Sequence, residues 1–131
     1  MKTLIIISTV FLGGLFAPVE QAPVALDDVC RAIGGGNVAE LTAIMDEEVE
    51  LSILDKEDLY TRAEATAVLK DFFTKFTPTS FGKVHQGASK SDDAEYCIGT
   101  LTTNKGSFRV YIYVAKTASG VMLQELKFDR S

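Results

Sequence analysis

His85 is the single histidine of the chain. Its imidazole has the chemistry for proton transfer near neutral pH. Alone in a run of strand-forming residues, it reads first as a hydrogen-bonded structural group. One histidine leaves no His pair for a conventional zinc site, so no metal ligand set is expected. Cys30 and Cys97 are the two cysteines. Cys97 with His85 would be the pair needed for a thiolate nucleophile. The two cysteines together permit one intrachain bridge, worth about 4 kcal/mol on the loop-entropy model. Two buried, unpaired thiols are the alternative. No G-x-S-x-G elbow, phosphate-binding loop or dinucleotide fingerprint occurs. No catalytic residue is therefore assigned, and no cofactor is implied.

The chain has 131 residues, 47% hydrophobic and 24% charged, with a formal net charge of −5. That is too apolar for disorder and short enough for one domain. Thirteen basic residues against eighteen acidic ones exclude a phosphate-binding surface, and with it a nucleic-acid partner. The acids bunch at Asp46–Glu50 and Asp55–Asp58. Such runs are ordinarily solvated faces, and neither has calcium-loop spacing.

Mean hydropathy is +0.14, and the surplus sits at the start. Lys2 precedes an uncharged run from Leu4 to Ala17, the pattern of a secretory signal. A membrane span needs about 20 apolar residues, so an uncleaved anchor or a buried helix is the weaker reading. Residues 1–25 are expected to be a signal peptide cut between 17 and 25, and residues 26–131 a single domain. The product would be exported, periplasmic or extracellular, with no stable membrane span after processing.

The elements that must position these side chains follow from local signals. Leu26–Ile33 predicts a short helix stopped by Gly34-Gly35-Gly36. Asn37 caps a second helix, with Glu40 three residues on. Glu48–Ile53 alternates as a strand, and Asp55–Asp58 reads as its turn. Thr61-Arg62-Ala63-Glu64 is a capping box for a helix reaching about Phe76. Ala65, Leu69, Phe72, Phe73 and Phe76 share one face of it. Strands are predicted over Ser80–Gln86, Ala94–Thr103, Ser107–Ala115 and Val121–Phe128, with a hairpin turn at Asn104-Lys105-Gly106. Gly87 and Gly99 are expected at bulges or bends. The class is α+β.

This order resembles the nuclear transport factor 2-like fold, the cystatin-like α+β cone, with N-terminal helices packed on a curved antiparallel sheet. The segments Val49–Ile53, Ala67–Phe73, Phe81–Gly87, Ile98–Leu101 and Gln124–Leu126 are similar to a family of small exported bacterial proteins of unknown function. These are scaffold motifs. The superfamily includes ketosteroid-isomerase-like enzymes and catalytically silent binding or dimerising domains, so the resemblance implies a fold and often a cavity, but no activity.

Face analysis then distributes the polar and aromatic residues. In the third of the four late strands, Phe108, Val110, Ile112 and Val114 share the face expected to meet the helices. Arg109, Tyr111 and Tyr113 share the outer face. In the last strand Met122, Gln124, Leu126 and Phe128 are expected inward, and Val121, Leu123, Glu125 and Lys127 outward. Arg109, Tyr111, Tyr113 and Leu123 are thus the candidate interface, suited to a homodimer or another exported protein; an ordinary half-solvated strand face explains them equally. Tyr60, Phe72, Phe76, His85, Tyr96 and Gln124 are the candidate pocket. The first expectation is a non-catalytic module binding an unknown small ligand or a protein. The alternative is a small isomerase or hydrolase of the ketosteroid-isomerase type. It would use Asp46 or Glu50 as the cavity base and Tyr60 or Tyr96 as oxyanion donor.

Overall fold

The computed structural model describes residues 23–131. The expected export segment lies outside the described residues except for Pro23, Val24 and Ala25. The chain order is α1 (Leu26–Gly34), α2 (Val38–Ala43), β1 (Met45–Ile53), β2 (Lys56–Thr61), α3 (Arg62–Lys75), β3 (Pro78–Ala88), β4 (Ala94–Thr103), β5 (Gly106–Thr117) and β6 (Gly120–Arg130).

Each helix starts where its side chains satisfy free N–H groups. The Asp28 carboxylate accepts from the Ala25 N–H at 2.9 Å at the head of α1. Asn37 Oδ1 accepts from Glu40 N–H at 3.1 Å at α2. At α3 the capping box is reciprocal: Glu64 N–H donates to Thr61 Oγ1 at 3.2 Å, and Thr61 N–H to Glu64 Oε1 at 3.0 Å. Gly36 releases the chain from α1 in the left-handed region, φ 62°.

The six strands run in the order β2-β1-β6-β5-β4-β3. Four pairings are antiparallel, as expected, and β1 pairs parallel with β6. That contact ties the first strand to the last. The helices cover one face. Between the layers lie Ile33 and Leu41 from α1 and the α2 turn, Leu69 and Phe72 from α3, and Phe108, Ile112, Leu126 and Phe128 from the sheet, all buried. Phe72 is the centre of this packing, with ring centroids 4.5 Å from Phe128, 5.2 Å from Phe108 and 5.1 Å from Phe76.

Three expectations are corrected. Asp55–Asp58 is not a turn alone: β2 begins at Lys56 and pairs with β1 from Ile53↔Lys56 to Glu48↔Thr61. Leu54 and Asp55 make the connection. As an edge strand, β2 presents exposed side chains at nearly every position, so it has no apolar alternation to read.

Leu123 is not on the outer face but fully buried at 0% exposure. The register of β6 slips between Tyr113↔Glu125 and Val114↔Leu123, leaving Gln124 as the extra residue. A one-residue bulge reverses the faces on one side of it. Leu126 and Phe128 therefore face inward as expected, whereas Leu123 replaces Met122 and Gln124 in the core.

Gly87 lies away from the register shifts of β3, which fall at Pro78–Ser80 and Lys83–His85, whereas Gly99 sits at the second as expected, opposite Lys83. Each lies beneath an aromatic ring of the neighbouring strand. A Cβ on Gly87 would stand 2.5 Å from the Tyr96 hydroxyl oxygen, and one on Gly99 2.3 Å from Phe81 Cζ. The absent side chain makes room for the ring.

Candidate functional site

The aromatic packing around Phe72 fills the space under the centre of the sheet. Open volume remains at one side, between α3 and the β1–β2 hairpin, as a cavity of about 420 Å³. α3 supplies Ala67, Val68, Asp71, Phe72 and Lys75, with Phe76 just beyond its end; β1 and its turn supply Leu51, Ile53 and Leu54; β2 supplies Lys56 and Tyr60. The capping box at Thr61–Glu64 sets the α3 axis against β2 directly after Tyr60, so one local signal positions both walls.

Leu54 adopts φ 58°, a conformation costly for a branched, non-glycine residue. Its N–H donates to the Phe128 carbonyl at 2.8 Å, which holds it there. Its side chain packs on the core margin and lines the cavity. The hairpin thus places an apolar group on the cavity at a position where glycine or asparagine would be easier.

The cavity has an apolar floor and a polar rim. Lys56, Lys75, Asp71 and the Tyr60 phenol are its polar groups. Lys75 Nζ pairs with Asp71 Oδ2 at 3.1 Å, both side chains roughly two-thirds exposed at 64% and 68%. That is a solvated i,i+4 ion pair of small energy.

Of the six pocket candidates, Tyr60, Phe72 and Phe76 line this cavity, and His85, Tyr96 and Gln124 do not. His85 and Tyr96 form a pair on the far side of the sheet, with Nε2 3.0 Å from the phenol oxygen. Gln124 donates to Asp46 Oδ2 at 3.1 Å beside the β6 bulge. The residues named for acid–phenol catalysis are dispersed. Asp46 is held by Gln124. Glu50 stands opposite Glu125 on β6 and Leu59 on β2, and Tyr96 is with His85. Among the described residues no cluster of three or more His, Cys, Asp and Glu side chains could hold a metal ion.

Lys56, Leu54, Val68, Asp71 and Lys75 were not foreseen. The first two belong to the unrecognised hairpin. Val68 lies beside the buried stripe of α3 rather than on it. The i,i+4 spacing of Asp71 and Lys75 is the one sequence signal that points to this rim.

Arg109, Tyr111 and Tyr113 lie together on the outer sheet face. There Ile98, Arg109, Tyr111, Glu125, Lys127 and Asp129 surround a shallow hollow of about 290 Å³. Tyr96 and Tyr111 stack with centroids 6.3 Å apart. Burial, then the Glu125 carboxylate, pushes the Tyr111 phenol pKa up. Across β1 and β2 the same face turns acidic. A carboxyl–carboxyl hydrogen bond with Glu57, then the Glu125 charge, raises the Glu50 pKa.

Cys30 of α1 and Cys97 of β4 are free thiols, both buried, with sulfurs 3.7 Å apart. Burial, then each other's proximity, pushes the Cys30 thiol up to about 12. Burial also raises Cys97.

No helix among the described residues is long and apolar enough to cross a membrane. No curated protein matches the chain. A family profile for a domain of unknown function, DUF4783, matches residues 26–129. A DUF4783 protein from Bacteroides ovatus is 30% identical, covering 79% of this chain and 92% of its own, at a TM-score of 0.73. Another, from Bacteroides uniformis, is 27% identical over 81% of this chain and 96% of its own, with TM-score 0.75. An NTF-2 like protein of unknown function from Burkholderia xenovorans is 12% identical, covers 81% of this chain and 80% of its own, and has a TM-score of 0.58, which shows a shared fold. The α+β architecture expected from the sequence resemblance is thus that of the nuclear transport factor 2-like proteins, and the chain belongs to the DUF4783 family.

Proposed function

We propose that this chain is an exported, non-catalytic binding module whose α3/β1–β2 cavity takes a small amphipathic ligand with an apolar body and an anionic head. One observation carries the reading: an apolar cavity of about 420 Å³ whose rim holds the Lys56 and Lys75 ammonium groups against one carboxylate, Asp71, which pairs with Lys75 and leaves Lys56 to meet an anionic head. Pockets of this size and character hold small molecules by apolar burial and are oriented by few polar groups. The basic start and apolar run before residue 18 support export.

Decanoate, decanol and decyltrimethylammonium, titrated against the chain by calorimetry, test it. Decanoate is expected to bind most tightly. Lys56→Glu should weaken decanoate by about tenfold, the scale of one charge-assisted contact, and leave decanol little changed. Equal binding of the cationic amphiphile, or no binding at millimolar concentration, would sink the reading. So would turnover of an ester or ketone lost on replacing Tyr60 or Asp71.

A second reading rests on the outer face. Tyr111, Tyr113 and Arg109 are residue types enriched at protein interfaces, and the face joins basic Arg109 and Lys127 to acidic Glu125 and Asp129. It proposes a homodimer through the sheet. Sedimentation equilibrium should show a dimer that Tyr111→Glu converts to monomer; a wild-type chain that stays monomeric at about 100 micromolar, well above the dissociation constant of a micromolar interface, refutes it.

A further inference from the structure

We propose that Cys30 and Cys97 are a thiol–disulfide exchange site. An external organic disulfide is attacked by Cys30 in the groove between α1 and β3 and resolved by Cys97, leaving an intrachain bridge that staples α1 to β4. The two residues are 67 apart in sequence, and the fold brings their sulfurs to 3.7 Å. A disulfide needs about 2.05 Å, so the two sulfurs would have to close by about 1.6 Å. The sulfurs already touch as hydrogen-bonded thiols, so the scaffold orients them toward each other before any bond forms.

The surroundings distinguish the two sulfurs. A surface groove is lined by Asp27, Cys30, Gly34, Phe81 and Lys83, and Cys97 does not reach it. Cys30 is 7% exposed and Cys97 0%. At the mouth Lys83 pairs with Asp27, and its Nζ also donates to Gln86 Oε1 at 2.9 Å. Burial keeps both thiols mainly protonated and the Lys83 ammonium offsets this only in part, so attack runs through a small thiolate fraction and is slow. Gly34 keeps the groove open, because a Cβ there would stand 3.1 Å from Phe81 Cβ.

The exchange balances. Cys30 loses its proton and attacks one sulfur of the reagent; the reagent's S–S bond breaks and one thiolate leaves. Cys97 then loses its proton and attacks Cys30 Sγ, expelling the second thiolate. Two protein thiols are oxidised by two electrons, the disulfide is reduced to two thiols, and the two protons go with them. The co-reactant class is an organic disulfide, small or carried on a partner protein. The site is separate from the α3/β1–β2 cavity and stands without it.

The test is incubation of the reduced full chain with oxidised glutathione at pH 8. The readouts are intact mass, maleimide labelling after denaturation and thermal melting. The wild type should lose both thiols and about 2 Da, remain monomeric on a non-reducing gel, and melt about 10 °C or more higher. Cys97→Ala should trap one glutathione on Cys30, while Cys30→Ala should leave Cys97 unmodified, with circular dichroism confirming that each variant folds. Two free thiols after incubation, a stable glutathione adduct on the wild type, or disulfide-linked dimers overturn the site. Faster modification of Cys97 in Cys30→Ala than of Cys30 in Cys97→Ala overturns the order of attack. The wild-type arm decides the bridge even if neither variant folds.

Discussion

Gln124 Nε2 donates to Asp46 Oδ2 at 3.1 Å, across 78 residues of sequence. The contact exists because Gln124 is the extra residue of the β6 bulge and Asp46 stands at the start of β1, where Met45 faces Leu123. It joins the two strands where their parallel register also breaks, between Met45 and Glu50. The Gln124 amide, then the Glu47 N–H, holds the Asp46 carboxyl below its ordinary range. Stability from this ionised group is therefore full above the unfolded carboxylate's pKa and lost as pH falls through the folded one. Gln124→Leu should cost about 1 kcal/mol at pH 7 and cost less at pH 3. Urea unfolding at the two pH values checks this, and an equal loss at both would disprove the coupling.

Gly99 lies under the Phe81 ring and near the Gly82 carbonyl oxygen, at 2.3 and 2.7 Å from a built Cβ. The ring could swing away, but the backbone oxygen of a paired strand cannot. Gly99→Ala is expected to destabilise by about 2 kcal/mol or more, as overpacking does. Gly82→Ala, with nothing within 4 Å of its Cβ, should change stability little. Thermal melts of the two variants would be compared, and equal shifts would contradict the argument.

The contrast shows what the sequence carried. Helix starts were legible because Asn37–Glu40 and Thr61–Glu64 satisfy backbone donors locally. The end of β4 was legible because Asn104-Lys105-Gly106 is a hairpin turn that closes the Thr103↔Gly106 pairing. β2 was not, since Lys56–Thr61 is held by the β1 ladder rather than by a buried face of its own. The inward turn of Leu123 depends on a register slip against β5, a relation between strands that periodicity within one strand does not contain. The cavity inherits both failures. Phe72 and Phe76 were found through the α3 stripe and Tyr60 by residue type, but Lys56 and Leu54 needed the hairpin. Residue chemistry alone points His85 and Tyr96 to the pocket, but the register shift between Lys83 and His85 turns His85 outward, opposite Ile98 and beside Tyr96.

Glu50 faces Glu125 directly across the parallel β1–β6 pairing, with Glu57 adjacent on β2. Its raised pKa means that the fold prefers the protonated form. The relative stability this gives is present below the unfolded carboxylate's pKa and is lost as pH rises through the folded value. Glu50→Gln keeps a hydrogen-bonding group toward Glu57 and removes the repulsion. It should stabilise by a few tenths of a kcal/mol at pH 7, the scale of one cross-strand like-charge pair, and by nothing at pH 3.5. A stability gain of the same size at both pH values would show that charge is not the cause.

The described fold begins before α1. Val24 bridges to Gly120, and the Val121 N–H donates to the Val24 carbonyl at 2.9 Å. Gly120, at φ 130°, passes so near that a Cβ would lie 2.8 Å from the Val24 nitrogen. A chain starting at Pro23 should therefore be more stable than one starting at Leu26 by about 1 kcal/mol, the worth of one or two such bonds. Denaturant titration of the two truncated chains decides it. Equal midpoints would place the domain boundary at Leu26.

The thiol pair makes alkaline stability depend on redox state. Folded Cys30 titrates at about 12 against 9.0 for an ordinary thiol, chiefly because burial opposes the thiolate. Below pH 9 both states of the chain hold the proton, and this group leaves stability unchanged with pH. Between about 9 and 12 the unfolded chain releases the proton and the folded one does not, so the reduced protein loses stability as pH rises. Once Cys30 and Cys97 are joined, neither sulfur has a proton to lose, and that slope disappears. Guanidinium unfolding at pH 8 and pH 10 should show a larger alkaline loss for the reduced chain than for the oxidised one. Cys30→Ala should remove most of the difference, and parallel curves for the two redox states would refute the burial of these thiols.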